Sequence, residues 1–125
     1  MNLSRLTPAR VLWTLWVAAL IAVAIGSLLP QLGVSDRYDL DKFVHAGAYL
    51  LLAFWPMLAL QDKRKALLFF LAIVLTSAMI ELLQADIPER VSSIADFAAN
   101  AMGASVGSLL GRMLRRQKRL AFLQR

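Results

Sequence analysis

The sequence predicts an all-α membrane protein, a four-helix transmembrane bundle with both termini on the cytoplasmic side and a basic C-terminal interfacial helix. Three observations predict it. Of the 125 residues, 59% are hydrophobic and only 18% charged, and the mean hydropathy of +0.62 lies above what a water-soluble domain sustains. The apolar residues gather into four runs, each near the roughly 20 residues needed to cross a hydrocarbon layer of about 30 Å. Lys and Arg alternate between the intervening loops as the positive-inside rule requires. Four spans use most of the chain, so residues 1–125 are read as one domain and any function must lie in the bundle or its short loops.

The first run extends from about Val11 to Leu29. Thr7-Pro8 opens it as an N-cap followed by proline at the first helical position, and Pro30 closes it. Arg5 and Arg10 ahead of the run and Ala24-Ile25-Gly26 within it also suit a secretory signal peptide. The run exceeds the usual signal core of about 7–15 residues, however, and is expected to stay as a span. A polar loop from Gln31 to Asp41 leads to the second run, Lys42 to Leu60, with Asp41 placed to cap it. Pro56 inside this run removes a backbone hydrogen bond and should kink the helix, which neighbouring helices make tolerable. The tight turn Gln61-Asp62-Lys63-Arg64-Lys65 precedes the third run, Ala66 to Gln84. Pro88 lies in the next loop, and the fourth run covers about Ile94 to Gly111.

Orientation follows from the basic residues. With the N-terminus inside, the cytoplasmic segments hold Arg5, Arg10, Lys63, Arg64, Lys65 and six more cations between Arg112 and Arg125, eleven of the fourteen in all. Arg37, Lys42 and Arg90 remain outside. The tail 112–125 has no acid, and Met113, Leu114, Leu120 and Ala121 share one side of a helical wheel, from which Phe122 departs. A basic helix on an anionic leaflet suits this pattern, with a plain positive anchor as the alternative. The net charge of +6 is therefore assigned to membrane lipid and not to nucleic acid.

In this topology the ionisable residues meet at one level. Lys42 and His45 stand at the outer end of the second helix, Glu81 and Gln84 at that of the third, and Asp96 and Asn100 at that of the fourth. All six fall within about two helical turns, or about 10 Å, of the outer boundary. Lys42, His45 and Tyr49 recur at i, i+3 and i+7; Ser77, Glu81 and Gln84, and likewise Asp96, Asn100 and Gly103, recur at i, i+4 and i+7. Each set shares one helix face, so polar groups can point inward while Leu, Phe and Val meet lipid. Arg90 is the nearby loop cation for Glu81 or Asp96. A ligand-binding set of Lys42, His45, Tyr49, Glu81, Gln84, Arg90, Asp96 and Asn100 follows, with His45, Glu81 and Asp96 as the candidates for catalysis.

Each residue also has a structural explanation. Ser93 with Asp96 fits a capping box, Asp41 a cap, His45 a packing role, and Lys42 can reach the headgroups by itself. Glu81 is harder to explain this way, because a lone charge about a turn below the end of an apolar run costs a few kcal/mol. Cysteine is absent and His45 is the single histidine, so thiol chemistry is excluded, no metal or other cofactor is expected, and no serine stands in a nucleophile motif. Gly103, Gly107 and Gly111, with Ala99 ahead of them, form a small-residue stripe for close helix approach. Packing within the bundle is the favoured use, and a homo-oligomer contact the other.

Asp41-Lys42-Phe43-Val44-His45 with Tyr49, then Glu81-Leu82-Leu83-Gln84, Arg90, and Asp96 with Asn100 and Gly103 together resemble the signature of VanZ-like membrane proteins, in order and spacing, from about residue 40 to 111. The segment Asp86 to Ser93 is shorter than that pattern. The resemblance implies a compact bundle in the bacterial inner membrane, in a family named for a member associated with glycopeptide resistance and without a settled mechanism. Three functions compete. One is a cell-envelope protein whose outer-leaflet site binds a lipid headgroup or lipid-linked envelope precursor. The second is a membrane-embedded hydrolase or transferase acting on such a lipid, with Glu81 or His45 as general base. The third is a small transporter, disfavoured because Val11 to Leu29 holds no ionisable residue.

Overall fold

The computed structural model describes residues 8–29, 40–87 and 93–123, and among them the chain is helical with no strand. The order is α1 (Pro8–Leu28), α2 (Leu40–Ala59), α3 (Lys63–Gln84) and α4 (Ile94–Leu123). At 1.5 Å per residue the first three helices measure about 30–33 Å, the thickness of the hydrocarbon layer. These three are long and apolar enough to cross a membrane. The fourth is longer, yet the run expected to span at 94–111 does not match their apolarity among the described residues. The cause is its inward face, which carries Asn100, Gly103, Gly107, Ser108 and Gly111, all buried.

α2 and α4 form the most intimate pair of the bundle. The glycine stripe explains this. A β-carbon at Gly103 would run into the carbonyl of Ala46, and one at Gly107 into that of Leu50; at Gly111 it would meet Phe54 O at 2.5 Å and Met57 Cβ at 3.0 Å. Apolar attraction between helices is weak in lipid, so close backbone contact of this kind supplies the packing energy. The stripe is thus used inside the chain, the first of the two roles anticipated for it. Tyr49, Leu52 and Ala53 of α2, Ile73 of α3 and Ala104 of α4 form the core, against which Trp16, Leu20 and Val23 of α1 pack.

The helix ends refine the sequence reading. Asp62 is the N-cap of α3: its Oδ1 accepts from Arg64 N at 2.7 Å and Lys65 N at 3.4 Å. Lys63, Arg64 and Lys65, expected in a turn, therefore form the first helical turn, since Lys and Arg are good helix formers once the end is capped. α2 begins at Leu40, so Asp41, expected as the cap, lies in the first turn. The basic tail continues α4 unbroken to Leu123, past Gly111, where a separate interfacial helix was expected. The whole helix, about 45 Å long, outreaches the hydrocarbon layer.

Pro56 lies inside α2 and deprives the Leu52 carbonyl of its usual i+4 donor. Trp16 replaces that donor: its Nε1 donates to Leu52 O at 2.8 Å. The indole also sits 5.6 Å from the Phe69 ring and 5.8 Å from that of Trp13, which in turn lies 5.4 Å from Phe69. α1, whose most apolar stretch buries none of its residues fully and which exposes Leu15, Val17 and Ile21, is held on the bundle at this level by the Trp16 hydrogen bond and the aromatic cluster.

Candidate functional site

The expected polar residues occupy the end of the bundle where α1 and α3 finish and α2 and α4 begin. Asn100 is the hub. It is 2% exposed, and its Nδ2 donates to Ser77 Oγ at 2.8 Å while its Oδ1 lies 3.1 Å from His45 Nδ1. One residue from each of α2, α3 and α4 is joined in this chain, and the matched spacing on three helices had suggested such a focus. The Asn100 amide thus orients the imidazole of His45 through its Nδ1. The buried Tyr49 hydroxyl lies beside Ser77, one turn deeper than His45.

Glu81 is only 5% exposed. Its Oε2 accepts from Ser93 N at 3.3 Å, at the N-terminus of α4. Ser93 is the N-cap expected from sequence, with Oγ accepting from Ala95 N at 3.2 Å. In a capping box the residue three positions on would return to bind the cap's own N–H. Here Glu81 of α3 takes that N–H, and Asp96 contributes its backbone N–H to Ser93 O at 3.0 Å. The helix N-terminus carries partial positive charge, so it also explains electrostatically how a carboxylate is held at this depth.

Gln84 faces another task. Buried at 4% exposure, its Nε2 donates to Ser27 O at 2.7 Å, satisfying a carbonyl in the last turn of α1. It ties α1 to α3 beside the cluster. Lys42, His45 and Asp96 are half-buried and form the rim above the buried Asn100, Ser77 and Glu81. Arg90 lies outside the described residues, as do the loops of residues 30–39 and 88–92. Among the described residues no three His, Asp or Glu side chains gather as metal ligands would.

Ser77 and Ser93 were visible in the sequence by spacing and motif, whereas the Ser27 carbonyl and Trp16 were not. Pro56 was the available signal for Trp16, because a proline in a helix implies a carbonyl four residues earlier in need of a donor.

A sequence model of the VanZ/LLP1 family matches residues 1–115. The chain belongs to the VanZ/LLP1 family. The match includes α1 and all of the polar cluster, a wider range than the 40–111 on which the resemblance rested. No curated protein and no solved structure matches the chain. Family membership and the apolar helices together make it a membrane protein of the cell envelope.

Proposed function

We propose that this VanZ/LLP1 protein binds the headgroup of a membrane lipid, or of a lipid-linked envelope precursor, at the polar end of its bundle. In this reading it is a multi-pass protein of the bacterial inner membrane with both termini cytoplasmic, so the site faces the outer leaflet. The eleven-to-three distribution of Lys and Arg supports that orientation. The observation that carries the proposal is the chain from His45 through Asn100 to Ser77, set beside a buried Glu81, at the rim of an otherwise apolar bundle. A bundle needing only stability gains little from such groups at membrane depth, where polar side chains mark binding and transport sites. Lys42 at the rim suits a phosphate, His45 and Asp96 beside it suit sugar or amide groups, and the buried Asn100 positions the imidazole from below. Arg90 is assigned to the same ligand by its place in the sequence.

Turnover is the second reading, and one observation favours it: Asn100 fixes the orientation of the half-buried His45 imidazole at the rim of the site, as a general base requires. His45 would then be the general base on the same lipid.

Glu81→Gln and Asp96→Asn test both readings. The amide that Glu81→Gln introduces can still accept from Ser93 N, and the charge–dipole contribution lost at that contact is about 0.3–1 kcal/mol. Both variants are therefore expected to melt close to wild type in detergent while losing retention of co-purified lipid in native mass spectrometry. Lipid retained at wild-type level by both would refute the site. A melting loss of about 3–5 kcal/mol would identify a structural pair instead. Product masses appearing from a lipid extract with wild type, and not with His45→Ala, would decide for the enzyme.

A further inference from the structure

At the other end of the bundle lies a cleft of about 140 Å³ that the polar cluster does not involve. It is bounded by the turn between α2 and α3 and by the stretch of α4 that follows the glycine stripe. Lys63, Arg112, Arg115 and Arg116 line it, with Asp62 as the acid. Four cations and one carboxylate leave a formal charge of +3. Asp62 is already counted in that sum, and its Oδ1 is turned to the N–H groups of Arg64 and Lys65 as the cap of α3. Arg112, Arg115 and Arg116 come from successive turns of one helix, and the α2–α3 turn brings Lys63 against them.

Arg115 gives the cleft a direction. It is only half-exposed, and its Nη1 is shielded from solvent and makes no hydrogen bond among the described residues. A guanidinium donor withdrawn from water without an acceptor is costly, and like charges around one cavity repel. An anion with several acceptor oxygens relieves both. The cleft also stands where α2 ends and α3 starts, the level at which a spanning helix meets the headgroup region.

We propose that this cleft is an anion site for a phosphate group, held by Arg115 and Arg116 with Lys63 and Arg112 around them. It is separate from the site of His45 and Glu81 and does not depend on that site's function. The phosphate is either borne by an anionic lipid or free in solution, and the chemistry of recognition is the same.

The test compares phosphatidylglycerol with phosphatidylcholine, titrated onto the purified full chain in detergent and read by native mass spectrometry. Wild type is expected to prefer phosphatidylglycerol by about tenfold or more, as one charge-assisted contact of about 1.5–3 kcal/mol implies. The double variant Arg115→Gln/Arg116→Gln should lose that preference. Arg64→Gln/Lys65→Gln, which removes the same charge from exposed positions beside the cleft, should keep it within about twofold of wild type. Equal losses in the two double variants would reduce the effect to general surface charge and overturn the proposal, as would no preference in wild type. Should the first double variant fail to fold, Arg112→Gln at an exposed position decides: a several-fold weakening supports the site and an unchanged preference refutes it. Displacement of bound phosphatidylglycerol by millimolar inorganic phosphate identifies free phosphate as the ligand, and its persistence identifies the lipid.

Discussion

Replacing Trp16 by Phe tests how a proline is accommodated within α2. The substitution removes the donor of the 2.8 Å bond to Leu52 O and keeps much of the ring that meets Trp13 and Phe69. A typical intramolecular hydrogen bond contributes about 0.5–1.5 kcal/mol net. Bonds between helices in lipid average about 0.6 and reach about 1.7 kcal/mol. The Leu52 carbonyl should lie near the upper end, because Pro56 offers no N–H and Leu52 is itself buried. Allowing for the smaller ring, Trp16→Phe is expected to cost about 2 kcal/mol. In a Pro56→Ala background the helix regains its own donor to Leu52 O, and the same change should cost about 1 kcal/mol less. Reversible unfolding by sodium dodecyl sulfate in mixed micelles, applied to all four members of the cycle, measures this coupling and cancels the cavity left by the proline ring. A cost for Trp16→Phe that agrees in both backgrounds to within about 0.3 kcal/mol would show that the indole does not stand in for the missing N–H.

Gly107→Leu should destabilise the bundle by about 3 kcal/mol or more, since the new side chain meets the Leu50 carbonyl, whereas Leu109→Ala, at a position 61% exposed, should cost less than about 1 kcal/mol in the same unfolding assay. Comparable small losses would mean that α2 and α4 can move apart without penalty. The chain has no native cysteine, so single cysteines at Ser35, Glu89 and Gln61 report topology directly: an impermeant thiol reagent on intact cells should label the first two and not the third, and labelling at 61 would invert the orientation and move the His45 cluster to the cytoplasmic leaflet.

Hydropathy made α1, α2 and α3 legible because crossing a bilayer demands a length and an apolarity that few other structures need, and α4 was read from a weaker apolar run. The helix starts were less so. Lys63 to Lys65 read as a loop by charge, yet charge alone does not break a helix, and Asp62 supplies the cap that lets it begin there. The site was legible as faces: spacing alone aligned His45 with Tyr49, Ser77 with Glu81, and Asp96 with Asn100 on their respective helices. The pairings between helices were hidden, because they depend on rotation and depth. Those are set by how closely α4 approaches α2 at Gly103 and Gly107. Sequence spacing carries no information on that distance, so it could not show that Asn100 would reach both His45 and Ser77, or that Gln84 would turn to Ser27.

α4 links these observations. Its weak apolarity, which sets it apart from the other three helices, and its part in the site have one origin. Asn100 lies one turn before Gly103, and Gly103 lies one turn before Gly107 on the same face. The glycines that bring the α4 backbone against α2 therefore also hold Asn100 at hydrogen-bonding distance from His45. The start of the same helix supplies the N–H that holds Glu81. A helix with a more apolar inward face would insert more readily into lipid, but larger side chains at 103 and 107 would separate it from α2 and pull Asn100 away from the imidazole. The helix least suited by composition to the membrane is thus the one that assembles the polar end, and α1 to α3 provide the apolar surround in which it is kept.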